Sequence, residues 1–225
     1  YYYIAESYNT AAVPLKCDDR FTCSPAEIIS IEKSITTKKI AEGLKKRNIQ
    51  SEVFLLNGQT QSQFDTIYLS LSLLKSRRNF FLTSCDAYGL FDVKEFCAFI
   101  KVREPDAVIF TFKPSLTQQK LSLHHSHVSV SGDRVTAVHI KSKANADDLG
   151  FAGFFWIRDG AIFNHMKELT LSGQSEIYVD HVFKYFVGRG LDILRFDVSH
   201  YIHLGTPDEL QEYRYWRDRE FLFSH

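Results

Sequence analysis

Methionine is almost absent from this sequence: Met166 stands alone in 225 residues, and the chain opens on Tyr1 rather than on a start codon's residue. The expectation is a processed protein, a domain excised from a longer one, or a partial sequence. A surplus of charge is absent too. Lys and Arg together number 27, as do Asp and Glu, for a formal net charge of zero. That balance excludes a general nucleic-acid or membrane-surface binder, which needs a basic excess. No apolar run approaches the ~18 residues of a membrane-crossing helix, and no signal peptide is visible. Cysteine is scarce, with four residues at Cys17, Cys23, Cys85 and Cys97. Five residues separate the first pair and eleven the second, spacings that suit no zinc knuckle. In a long, cysteine-poor chain the expectation is four reduced thiols in a cytoplasmic protein. Internal repeats, low-complexity tracts and linkers are also missing, so a single domain is the economical reading.

What is present is an ordinary globular balance, 44% apolar and 24% charged, in a chain long enough for one α/β domain with a full core. Tyr1 to Ala5 reads as a strand, and Asn9 to Pro25 as irregular. Thr37 to Lys46 has helical periodicity with lysines on one face. Ser51 to Leu56 reads as a buried strand and Asp65 to Leu74 as a helix. Asn79 to Asp86 is a short apolar run ending in an acid, as suits a strand covered on both faces. Asp92 is placed to cap the next helix, Glu95 to complete a capping box, and Phe91 with Phe96 to form the hydrophobic staple. Asp106 to Phe112 is another buried strand, and this alternation has the rhythm of a parallel sheet.

The second half changes character. His127 to Ser131 and Arg134 to Ile140 flank Gly132-Asp133 and read as a hairpin. Phe151 to Ile157 and Leu191 to Phe196 are strand-like. Ile177 to Val187 reads as a helix stopped by Gly188 and Gly190. A last helix opens at Thr206, with Pro207 at its first position and Glu209 closing the box. His124, His125 and His127 form a loose cluster, but no Cys or carboxylate accompanies them, so they read as a solvated lead into the hairpin rather than a metal site.

Three places could carry chemistry. Asp86 ends a strand where ligands of open α/β sheets bind, and a carboxylate there can hold Mg²⁺ between phosphates; the alternative is a cap on a turn before Ala87-Tyr88-Gly89. The polar stretch from Gly58 to Thr66 can meet a nucleobase edge, or be only a loop. The helix start at Thr206 can favour an anion, although its cap explains the same residues.

Taken in order, these pieces resemble the sugar-1-phosphate nucleotidyltransferase family. Gly58, Thr60, Gln63 and Thr66 are similar to its "G-x-T-x-G-Q-A-x-T" segment, with Ser62 and Phe64 departing from it. The strand ending at Asp86 resembles the one whose Asp binds magnesium. Arg134 to Lys141 resembles "g-x-V-x-x-V-x-x-K", Gly150 to Phe155 resembles "x-x-G-x-Y-x-F", and Ser175 to Asp180 resembles "G-E-F-Y-v". Tyr201 to Leu210 is similar to "W-x-D-x-G-T-P-e-D-L". The resemblance spans roughly residues 50 to 218 and implies a Rossmann-like, three-layer α/β/α fold with a mixed sheet and a small β-rich sugar lobe. Residues 1–114 would form the nucleotide side and 115–225 the sugar side of one N-terminally incomplete domain.

The implied partners are an NTP and a sugar 1-phosphate, joined to give an NDP-sugar and pyrophosphate with Mg²⁺ as cofactor. No nucleic acid or membrane is implied, and a homo-oligomer is left open. The implied roles are catalysis for Asp86 and Lys141, metal binding for Asp86, nucleotide binding for Gly58, Thr60 and Gln63, and sugar binding for Gly153 and Glu176. Two features depart from the family. Its opening Gly-rich "G-x-G-x-R-F…K-P" loop has no counterpart, so this stretch alone is expected to show little transfer. His203 stands where many members carry a second metal-binding Asp, with Asp197 nearby as a substitute. The rival readings are a non-catalytic sugar-nucleotide-binding relative and a glycosyltransferase of similar fold, whose Asp-x-Asp motif Asp86-Ala87-Tyr88 lacks.

Overall fold

The computed structural model describes residues 10–14, 26–30, 51–55, 60, 62–71, 78–84, 87–114, 125–142, 145–166, 177–203, 211 and 213–215, with side chains described from residue 60 onward. The expected strand at Tyr1, the helix over residues 37–46 and the helix opening at Thr206 lie outside these residues.

One mixed sheet of nine strands organises the chain. Its strands are β1 (Thr10–Pro14), β2 (Ala26–Ser30), β3 (Ser51–Leu55), β4 (Arg78–Ser84), β6 (Ala107–Phe112), β7 (His127–Ser131), β8 (Arg134–His139), β9 (Leu149–Asp159) and β10 (Ile193–Asp197), in the order β3-β2-β1-β4-β9-β6-β10-β8-β7. A separate two-stranded ribbon joins β5 (Ala87–Leu90) to β11 (His200–His203). The helices are α1 (Gln63–Leu71), α2 (Val93–Arg103) and α3 (Val179–Gly188), with a 3₁₀ segment at Gly160–Met166.

The sheet is not parallel throughout, as the strand–helix rhythm suggests. β4 and β6 do run the same way, but the eleven-residue β9 lies between them and pairs antiparallel with both. Among the described residues, parallel pairing is direct only for β2 with β3 and β6 with β10. One expectation is corrected and one strand is new. Residues 10–14, read as irregular, pair antiparallel with β4 over five positions from Thr10–Ser84 to Pro14–Phe80. Ala87 to Leu90, assigned no element from the sequence, are extended and pair with β11. Each depends on a partner strand distant in sequence, which local composition does not announce.

Strand residues alternate between two apolar clusters, one per sheet face. Phe80, Leu82, Ile109, Phe155, Ile157 and Ile193 pack with Phe64, Ile67 and Leu71 of α1 and with Val182, Phe183 and Phe186 of α3. Val108, Phe110, Trp156 and Leu194 pack instead with Phe96 of α2. Helices therefore cover both faces of the central strands, which is why those strands read as unbroken apolar runs.

The helix ends follow from side-chain chemistry. Asp92 accepts the amides of Lys94 and Glu95 at 2.7 and 3.0 Å, and the rings of Phe91 and Phe96 close the staple at 5.8 Å. α2 stops at Glu104, in the left-handed region with φ of 46°, because Pro105 follows and disfavours further helix. α1 begins two residues before the apolar pattern suggests. Ser62 accepts the amide of Asp65 and donates to its carboxylate at 2.9 Å, a serine cap that sets the start at Gln63. Gly132 takes φ of 61° in the hairpin turn between β7 and β8, where an L side chain would be strained.

No helix among the described residues is long and apolar enough to cross a membrane. Cys97 is disulfide-bonded, contrary to the expectation of four reduced thiols. The other three cysteines lie outside the described residues.

Candidate ligand site

A cavity of about 300 Å³ opens beside the carboxyl end of β4. Its lining comes from Thr83 and Ser84 of β4, Gly153 and Phe155 of β9, and Tyr178, Val179 and Asp180 at the head of α3. Lys141, just past β8, Ser126, just before β7, and His125, Tyr201 and His203 also line it. Ligands of α/β sheets bind beyond strand carboxyl ends, and this cavity occupies such a place.

Gly153 is required by its backbone. Its φ is 75°, in the middle of a strand whose register with β6 shifts between Ile109 and Thr111. A Cβ there would lie 2.4 Å from Ser84 Oγ and 3.3 Å from Ala87 Cβ. The glycine thus lets β9 kink against the end of β4 and leaves the cavity lining bare there.

Lys141 carries the cation. Its Nζ lies 3.8 Å from the centre of the Tyr178 ring, whose electron-rich face attracts it. Tyr178 is in turn stacked on His181, and its amide donates to His181 Nδ1 at 3.2 Å. Ser126 donates its hydroxyl proton to Asp180 Oδ2. Burial pushes the Asp180 carboxyl above its usual range, against the opposing pull of the Ser126 hydrogen bond and of the neighbouring His181 and Lys141. A carboxyl held toward its neutral form repels an anionic ligand less than a free aspartate would.

Gln63 reaches the cavity from the start of α1, and its Oε1 accepts the amide of Val179 at 3.2 Å. With Phe64 donating to the Ile177 carbonyl at 3.1 Å, it ties α1 to the head of α3. The structure therefore brings Gln63, Lys141 and Gly153 together from three separate stretches. Thr60 is not among the lining residues; it is buried, with its hydroxyl 2.7 Å from that of Thr66. Gly58, Asp86 and Glu176 lie outside the described residues.

Asp197 also stands apart. Its carboxylate accepts from Thr111 at 2.6 Å and from Arg195, and it does not line the cavity. His203 does, with its ring edge-to-face against His125 at 5.3 Å. The histidine segment is corrected in part. His127, expected in solvent, is 1% exposed within β7, and burial pushes its pKa down, reinforced by His125. Among the described residues no three His, Cys, Asp or Glu side chains gather as a metal site. Asp86, the expected Mg²⁺ ligand, lies outside those residues. Sequence reasoning passed over Ser126, Tyr178 and Asp180 as site residues, since their proximity arises from the packing of α3 against β8.

Solved structures share this architecture. The nucleoside-diphosphate-sugar pyrophosphorylase from Vibrio cholerae RC9 aligns with a TM-score of 0.63 at 15% identity, over 83% of this chain and 78% of that one. The inositol-1-phosphate CTP transferase from T. maritima gives 0.60 at 16%, over 81% and 70%. A UDP-glucose pyrophosphorylase complexed with UDP-glucose gives 0.64 at 12%, over 85% and 80%. This chain has the sugar nucleotidyltransferase fold. No family model matches its sequence, and no curated protein does. At such identities the likeness concerns the nucleotidyltransferase fold itself, and a chemical reading must come from the cavity.

Proposed function

We propose that this chain is a sugar-1-phosphate nucleotidyltransferase domain, forming an NDP-sugar and pyrophosphate from an NTP and a sugar 1-phosphate. One observation carries the reading: Gln63, Lys141 and Gly153, each singled out by a different motif, line a single cavity at a strand's carboxyl end. Residues from both halves of the chain meet there, in keeping with a nucleotide side and a sugar side of one Rossmann-like, three-layer domain.

In the proposed reaction a phosphate oxygen of the sugar attacks the α-phosphorus of the NTP in line. The new P–O bond forms as the bond to the bridging oxygen breaks, and pyrophosphate leaves with that electron pair. No covalent enzyme intermediate is needed, so the protein's task is positioning and charge neutralisation. Lys141 neutralises the attacking phosphate, and Gly153 leaves room for the sugar ring. Glu176, two residues before Tyr178, is the proposed partner for sugar hydroxyls. Gly58, Thr60 and Gln63 belong to the nucleotide side; Thr60 would act by shaping the loop, since its side chain is buried. Asp86 is the proposed Mg²⁺ ligand, because Ser84 and Ala87 on either side of it line the cavity. The metal would supply charge neutralisation at the phosphates.

His203 on the cavity edge favours a second reading, in which the domain binds a sugar nucleotide without transfer. The experiment that decides is pyrophosphate release, measured on this chain with Mg²⁺ over a panel of NTPs and sugar 1-phosphates. Release that requires both substrates supports the transferase. Tight binding with no release supports the second reading, and neither binding nor release contradicts both.

A further inference from the structure

Lys141 is one of three non-glycine residues with positive φ among the described residues, the others being Asn79 and Glu104. Asn tolerates this region through its short polar side chain, and Glu104 ends a helix before Pro105. A lysine has no such excuse, and the conformation persists only where the surroundings impose it. What imposes it is a hydroxyl. The Lys141 amide, at φ of 41°, donates to Ser126 Oγ at 3.4 Å. Ser126 is itself anchored, its carbonyl accepting the amide of Phe151 at 3.1 Å.

A serine hydroxyl has one proton to give and lone pairs to receive with. Asp180 Oδ2 takes that proton. The lone pairs are thereby left facing away from the carboxylate, where the Lys141 amide meets them. Asp180, in the first turn of α3, thus fixes through Ser126 the backbone from which the Lys141 side chain departs. The same helix start presents Tyr178, over which the ammonium lies.

We propose that Asp180 and Ser126 are positioning residues that hold the left-handed turn at Lys141 and so aim its ammonium into the cavity for the ligand's phosphate. This rests on the reading of the cavity as a sugar-phosphate site. Its added content is that a carboxyl group lining the cavity acts on the ligand through the lysine, by fixing the backbone that aims it.

The test is calorimetric titration of the protein with a panel of hexose 1-phosphates, with inorganic phosphate and an NTP as separate arms. The proteins compared are the wild type, Lys141→Ala, Ser126→Ala, Ser126→Thr, Asp180→Asn and the double variants that combine Lys141→Ala with Ser126→Ala or with Asp180→Asn. Ser126→Ala and Asp180→Asn are expected to weaken hexose-phosphate binding by about three- to tenfold, while adding less than about twofold once Lys141 is already Ala. Ser126→Thr restores the hydroxyl and should restore affinity, and NTP binding should stay unchanged throughout. Should Ser126→Ala fail to fold, Asp180→Asn, which keeps shape and size, carries the same comparison. If Lys141→Ala weakens binding but Ser126→Ala and Asp180→Asn do not, the positioning role is wrong and the sugar-phosphate site stands. A full additional loss from Ser126→Ala on top of Lys141→Ala would mean that Ser126 acts on the ligand directly, which also overturns the proposal. Absence of hexose-phosphate binding, or binding indifferent to Lys141, removes the underlying reading and this inference with it.

Discussion

The ammonium of Lys141 lies 3.8 Å above the ring of Tyr178, so the cation is oriented before any ligand arrives. A lysine side chain otherwise samples many rotamers, and a preset orientation lowers the entropy lost on binding. Tyr178→Leu should therefore weaken hexose 1-phosphate binding by about fivefold, in line with a cation–π contact of roughly 1 kcal/mol. Tyr178→Phe keeps the ring face and should retain most of the affinity. Equal losses from the two substitutions would place the effect on the hydroxyl and not on the ring.

Gly153 and Gly132 make a matched pair, both with positive φ, but only Gly153 is crowded. Gly132→Ala should cost roughly 1 kcal/mol from backbone strain alone, and Gly153→Ala should cost at least about 2 kcal/mol, since its Cβ also meets Ser84. Thermal unfolding of both variants gives the comparison. Similar melting temperatures for the two would show that β9 and β4 can part without penalty.

The pH dependence of stability should show His127. Its pKa is pushed below the usual 6.5 by burial first, then by His125, with Asp148 opposing. The unfolded chain therefore binds a proton more readily than the folded one. Stability from this group is complete above about pH 6.5 and is lost as the pH falls below it. His127→Gln should flatten the stability profile between about pH 6.5 and 5, as followed by urea unfolding across that range. An unchanged slope would assign the acid sensitivity to other groups.

How much of this was legible in the sequence depends on how local the cause is. Asp92, Phe91 and Phe96 announce the start of α2, and Gly132-Asp133 announces the hairpin, because caps and turns are decided within a few residues. The start of α1 was legible as well, in Ser62 three residues before Asp65, but the apolar period drew attention two residues downstream. β1 and β5 were not legible, since their partners β4 and β11 lie far along the chain, 74 positions from Thr10 to Ser84 and 116 from Ala87 to His203. Motif resemblance placed Gln63, Lys141 and Gly153 in one site. It said nothing of Ser126 and Asp180, 54 residues apart, which meet only because α3 packs beside the end of β8.

Cys97 offers a chemical check on the compartment. Peptide mapping of the natively expressed protein without reductant should recover Cys97 in a disulfide-linked peptide. Such bonds persist in oxidising surroundings and are rare in the cytosol of mesophiles. Full alkylation of Cys97 in protein kept free of reductant would return the chain to the reduced, cytoplasmic expectation.

The central claim is that the cavity between the end of β4 and the head of α3 receives a sugar phosphate. Backbone amide chemical shifts, followed as α-D-glucose 1-phosphate and related hexose 1-phosphates are added, test it most directly. The account predicts saturable shifts concentrated at Ser84, Ser126, Lys141, Gly153, Tyr178 and Asp180, and a marked loss of those shifts in Lys141→Ala. Saturable shifts centred on any other face, or the same shifts undiminished in Lys141→Ala, would contradict it.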